Sequence, residues 1–255
     1  MGNNCGILTF YDDKGKPSFS TITNNFELSI PRIKRKYSSL KDKFVKVKKN
    51  PKKTLFDALI SFKKDGVLNI VNIYEDYCYL AIDSKKTPFL EIVEDTNSNK
   101  KLLGPFRNRF FLADVLQSFC DVFDSPNIQE DNKTIDESLF FYRKDLNPFK
   151  KQIKRLNAKL KFKSAEELRK RISIINRYYN HLDFLKATKS INHNFEYNEE
   201  KCSIKAGLLV GIGKYDFKIN NSIEYRKNEF LSVEKSELDE RLIIYEFLKF
   251  SNKDF

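Results

Sequence analysis

Apolar and polar positions alternate at the start of the chain. Ile7, Thr9 and Tyr11 interleave with Gly6, Leu8 and Phe10, and Asp12, Asp13, Lys14 and Gly15 supply a turn before a return strand over residues 17–20. A period of two on either side of a turn predicts a β-hairpin. Thr23, Asn24 and Asn25 can cap a helix with Glu27 in its first turn, and Pro31 is expected to kink or restart it. Residues 44–48 alternate again, as a half-exposed strand does. Thr54 then caps a helix whose apolar stripe is Leu55, Ala58, Leu59 and Phe62, with Gly66 as its stop. Residues 77–82 and 89–93 read as strands, 95–101 as a polar loop and 110–123 as a helix.

Residues 125–133 have the composition of a linker. The pattern after Pro148 predicts two helices. One is lined by Ile153, Leu156, Leu160 and Phe162; the other, capped by Ser164 with Glu167 three residues on, carries Ala165, Leu168, Ile172, Ile175, Tyr179 and Leu182. A short connection makes them an antiparallel helical hairpin. Glycines and β-branched residues over 201–226 read as a strand meander, and Ser236 is expected to cap a last helix with Leu238, Leu242, Ile243, Tyr245, Phe247 and Leu248.

Composition narrows the classes. With 40% hydrophobic residues, 23 Phe and 12 Tyr, the 255-residue chain is too apolar to be disordered. No run approaches the roughly 20 apolar residues of a membrane helix. No secretory leader is visible at the start, and a cytoplasmic, membrane-free protein is the expectation. Cys5, Cys78, Cys120 and Cys202 are spread singly, and His181 and His193 lie far from any cysteine pair, so no metal site and no resident cofactor are expected. Lys plus Arg is 47 against 35 Asp plus Glu, a net charge of +12, which suits a polyanionic partner, above all DNA.

The basic residues are clustered. Between Arg32 and Lys53 there are eleven cations and one acid, Asp42. Arg32, Lys34, Arg35, Lys36, Lys46, Lys48 and Lys49 are candidate phosphate contacts, with Lys46 and Lys48 on one side of a strand. Arg107 and Arg109 flank a Gly-Pro-Phe element, where they could hold phosphate at a helix start. Lys150, Lys151, Lys154 and Arg155 make the helical hairpin basic.

These pieces resemble, in order, parts of the C component of the bacterial excinuclease. The first hundred residues resemble its GIY-YIG nuclease domain: Cys5-Gly6-Ile7-Leu8 stands at its opening strand, the hairpin reads YDDKGKPSFST, TLFDALISF stands at its glutamate-bearing helix and VLNI, with Asn69, at its asparagine. KLLGPFRNRFFLADVLQSFCDVF resembles the Gly-Pro-Phe element that follows that domain, and FKKQIKRLNAKLKFKSAEELRKRISIINRYYNHL resembles the UVR hairpin that pairs the excinuclease's B and C components. The resemblance implies an α/β fold: a small GIY-YIG-like antiparallel or mixed sheet flanked by helices, then a helical hairpin and a small β-rich C-terminal region. It divides the chain into segments 1–100, 101–135, 136–190 and 191–255. It also implies DNA as a partner, and a protein like the excinuclease B component docked on the hairpin through Leu156, Leu160, Phe162 and Leu168. The family's Cys-rich stretch is missing, so no iron–sulfur cluster is carried over.

The family's catalytic set is not kept. Its two tyrosines fall on Leu8 and Phe19, the glycine of its second motif on Thr21, its arginine on Ser29 and its metal-binding glutamate on Phe62; only its asparagine is retained, as Asn69. Leu and Phe neither move a proton nor ligate a cation. The resemblance therefore implies a non-catalytic, DNA-binding relative acting in or beside nucleotide excision repair. Two alternatives stand beside it. One is an active structure-specific endonuclease using Mg²⁺ or Mn²⁺ and displaced residues such as Arg32, Asp57 and Asp65. The other is a structural or interaction module that binds no DNA.

Overall fold

A computed structural model describes residues 4–36, 46–66, 76–83, 90–94, 101–123, 138–217 and 231–251. The fold is mixed α/β, with three antiparallel sheets and flanking helices among the described residues. The chain divides into two compact units, one formed by Met1–Ile73, Ser190–Ser222 and Ser236–Phe255, the other by Tyr74–Lys189 and Ile223–Lys235.

The first unit opens with the expected hairpin. Strands β1 (Gly6–Tyr11) and β2 (Pro17–Thr23) pair antiparallel, and β3 (Lys46–Pro51) joins the other side of β1, giving the order β2-β1-β3. Helix α1 (Phe26–Lys36) runs through Pro31 without a break. Its cap is Asn25, whose Oδ1 accepts from the Leu28 N–H at 3.0 Å. Phe26, Ile30 and Ile33 of α1 cover the sheet face that carries Leu8, Phe10, Phe19 and Val47. Helix α2 (Leu55–Asp65) starts on the expected Thr54, in a full capping box with Asp57, and ends on Gly66 at φ 60°.

Register puts Ile22 on the sheet face opposite Phe19, and Ile22 packs with Phe56, Leu59 and Ile60 of α2. So α1 and α2 cover opposite faces of this sheet. The same α2 side chains pack against a four-stranded sheet of order β10-β9-β8-β7, made of β7 (His193–Tyr197), β8 (Glu200–Lys205), β9 (Leu208–Ile212) and β10 (Tyr215–Asp216). Helix α7 (Leu238–Phe250) closes this core: Phe247 stacks on Phe56 at 4.0 Å between ring centroids. The apolar face of α2 is wider than a single stripe because it is buried on two sides. Ser236 is not the cap of α7; a short 3-10 turn over Lys235–Glu237 leads into the helix instead.

The second unit is built on β4 (Cys78–Ile82), with β5 (Leu90–Val93) and β6 (Lys101–Phe106) as its neighbours. Its core also takes α3 (Arg109–Phe123), α4 (Ser138–Phe141), α5 (Asn147–Ala158) and the 29-residue α6 (Phe162–Ser190). Of the loop expected over 95–101, residues 95–100 lie outside the described residues and Lys101 begins a strand, whose end is the Gly-Pro-Phe element. The hairpin of α5 and α6 forms, but α6 begins two residues before Ser164, which lies inside its first turn rather than at its cap. Asn69 and the proposed linker over 125–133 lie outside the described residues.

Candidate nucleic-acid interface

The positions carried over from the nuclease family sit mostly under α1. Leu8 and Phe19 are fully buried, and Phe19 lies flat on Phe10, with centroids 4.6 Å apart and planes 3° from parallel. Ser29 shares a 2.5 Å hydrogen bond with Thr23. Leu8 and Phe19 thus belong to a small apolar core with Phe10 and Phe26. Phe62 is half-buried on α2, across the sheet from α1.

The displaced candidates are not brought together. Arg32 is exposed on α1, whereas Asp57 and Asp65 are on α2, on the other side of the sheet. Asp57 is already used: it accepts from the Thr54 N–H and from the Tyr197 hydroxyl, at 3.1 and 2.8 Å. A divalent cation needs several oxygen ligands converging on one point. Phe62 offers none, and among the described residues no three His, Cys, Asp or Glu side chains form a group that could hold a metal.

The basic stripe of the first unit is split by strand geometry. Lys46 and Lys48 are exposed and alternate with Val47, so they point away from α1. Lys49 points the other way, onto α1, where its Nζ meets Glu27 at 2.5 Å. Arg32, Lys34 and Arg35 are exposed on α1. Lys36 ends that helix, and its side chain lies outside the described residues.

The Gly-Pro-Phe element is locked into the second unit. Val233 N–H donates to the Gly104 carbonyl, Gly104 N–H donates to Leu231, and the Tyr79 hydroxyl donates to Val233. From α6, His181 Nε2–H donates to the Pro105 carbonyl at 2.8 Å, and its ring packs on Phe106. Burial, with Arg107 adding to it, pushes the His181 pKa down to about 4, so the ring is neutral at pH 7. Arg107 and Arg109 are exposed beyond this element. Arg109 reaches Glu94 at 3.8 Å, a weak surface pair, and in the first turn of α3 the Phe110 N–H donates to the Asn108 side-chain oxygen.

The tip of the α5–α6 hairpin is different. Phe149, Ile153 and Leu156, spaced i, i+4, i+7, turn α5 onto the unit's own core, and Leu168 does the same for α6. Of the four apolar side chains expected to meet a partner, Leu156 and Leu168 therefore pack inward. Leu160 and Phe162 stand out, 75% and 60% exposed. Around them Lys150, Lys151, Lys154, Arg155, Lys159, Lys161 and Lys163 are all exposed, and residues 146–165 contain no acid. None of these seven cations is paired with a carboxylate among the described residues.

This arrangement works against the local helices. Lys150 and Lys154, Lys151 and Arg155, and Arg155 and Lys159 are like-charge i,i+4 pairs, each costing about 0.2–0.5 kcal/mol. The first turns of α5 and α6 hold no acid to complement the helix dipole. The connection is a Schellman turn: Lys161 N–H donates to Leu156 and Leu160 N–H to Asn157, at 2.9 and 3.0 Å. Leu160 occupies its left-handed position at φ 56°, where glycine is usual and an L side chain costs about 1 kcal/mol.

A concavity in the same unit, about 530 Å³, lies between α3 and α6. Its lining carries one net negative charge, with Asp114, Asp121 and Glu167 against Lys170 and Arg171, and Arg171 is already paired to Asp121 at 2.7 Å. The excess acid repels an anion. No helix among the described residues is long and apolar enough to cross a membrane. No protein-family model, curated protein or solved structure matches the chain.

Proposed function

We propose that this chain is a DNA-binding relative of the excinuclease C component with a non-catalytic nuclease-like unit, acting in or beside nucleotide excision repair. The observation that carries the DNA reading is the hairpin tip, where seven exposed cations stand in twenty residues without one acid. Such a surface gains most from a phosphate backbone, because each neutralised phosphate releases condensed counterions. The family reading is supported by the opening hairpin in a sheet of order β2-β1-β3, followed by the Gly-Pro-Phe strand and the helical hairpin in the family's order. The non-catalytic reading is supported by buried Leu8 and Phe19 and by the separation of Arg32 from Asp65.

The test is one incubation series with end-labelled duplex DNA and Mg²⁺ or Mn²⁺, read on native and denaturing gels. The expected result is retarded, uncut DNA whose binding constant falls log-linearly with salt, by a slope of about −0.9 per phosphate contacted. Metal-dependent nicks that vanish in Asp65→Ala or Arg32→Ala would overturn the non-catalytic reading in favour of the displaced endonuclease. Binding that is absent or insensitive to salt would remove the DNA reading.

A further inference from the structure

We infer that the turn joining α5 to α6 is a wedge that places Leu160 and Phe162 among unstacked DNA bases while the cations around it hold the flanking phosphates. This rests on the DNA-binding reading above and deepens it, naming unpaired or distorted DNA as the feature recognised.

Three observations meet at this turn. Leu160 and Phe162 are the exposed apolar side chains of the hairpin, at 75% and 60%, two residues apart at its apex. Leu160 holds a left-handed position that glycine would fill more comfortably, and its exposure returns no burial in exchange. The surrounding charge is of one sign, over Lys150 to Lys163. An aromatic ring beside a cationic track is the chemistry of stacking on an unpaired base, and a branched apolar side chain is the chemistry of prying a base step open. A fully stacked duplex offers Phe162 nothing to stack on.

An anionic lipid surface has the same charge, but the fold favours DNA. A helix that lies on lipid needs an apolar face along its length. The apolar stripe of α5 is spent on the unit's own core, which leaves two side chains in a turn.

The full-length protein is titrated into two labelled DNAs at one salt concentration, a paired duplex and the same duplex with a central unpaired bubble containing 2-aminopurine. The expected result is a bubble bound about tenfold more tightly than the duplex, with a change in 2-aminopurine emission as it stacks. Phe162→Ala loses about that tenfold on the bubble and less than about twofold on the duplex. Leu160→Gly also weakens the bubble complex, yet raises Tm by about 2 °C because it relieves the left-handed side chain. Equal affinities for the two DNAs, with both variants unchanged, would sink the wedge while leaving DNA binding intact. No binding to either DNA removes both readings. A fall in Tm for Leu160→Gly would assign Leu160 to stability instead. Phe162-dependent binding to phosphatidylserine vesicles without bubble preference would replace DNA with a lipid surface.

Discussion

Phe19 shows what the opening hairpin has become. Where the nuclease family has a tyrosine, a ring without a hydroxyl is sealed between Phe10 and the apolar face of α1. Restoring the oxygen restores nothing, because it enters a site packed with carbon. Phe19→Tyr is expected to lose about 1–3 kcal/mol in denaturant unfolding, the cost of burying an unsatisfied hydroxyl, and to gain no nicking activity. Arg241 is the opposite case, a charged side chain with no exposed surface. It is held by Glu237 at 2.8 Å and by the Ala206 carbonyl at 2.5 Å, tying α7 to the β8–β9 turn. Nothing in the spacing around residue 241 distinguishes it from a surface arginine. Burial of a charge depends on partners that are distant in sequence, here Ala206.

At the scale of elements, periodicity located most strands and helices and misjudged those whose identity is set by neighbours. The hairpin, α2 with its Thr54 cap, and α3 were legible because alternation and capping are local. β6 was not, because Gly104 and Pro105 interrupt its pattern; it is a strand because β4 pairs with it and Leu231 to Val233 bond its glycine. Likewise the cations around α1 and β3 form one stripe in sequence, and only the pleat sends Lys49 to one face and Lys48 to the other. The basic tip was legible as charge, but not the outward turn of Leu160 and Phe162, since the same spacing also fits a core stripe.

The bond between α6 and β6 has a measurable pH signature. His181 has a pKa of about 4 in the folded protein, below its ordinary 6.5, so the unfolded chain binds its proton more readily. Its contribution is therefore complete above pH 6.5 and is lost as pH falls toward 4. The difference in stability between wild type and His181→Gln, followed by thermal unfolding across that window, is expected to change by on the order of 3 kcal/mol.

At the scale of the whole molecule, the two units carry separate cores, one centred on Phe56, Leu209 and Ile244, the other on Phe119, Ile175 and Tyr178. Ile244→Ala opens a cavity in the first, at about 2–5 kcal/mol. Hydrogen exchange is expected to accelerate in α2 and β9 while α3 and the middle of α6 keep their protection. Uniform loss across both units would show that the cores do not act separately.

The first unit is assembled from three separate stretches of chain, and that has a consequence for how the protein is made. Residues 1–73 leave the ribosome with one face of α2 uncovered, since the β7–β10 sheet and α7, which bury it, are encoded after residue 189. Chains grow at about 5–20 residues per second, so Phe56, Leu59 and Ile60 wait on the order of ten seconds for their partners. The second unit takes most of its residues from the continuous stretch Tyr74–Lys189 and waits only for Ile223–Lys235. Of the two units, the one whose synthesis begins earlier is thus completed later, and throughout that interval α2 is the segment for which a chaperone would compete.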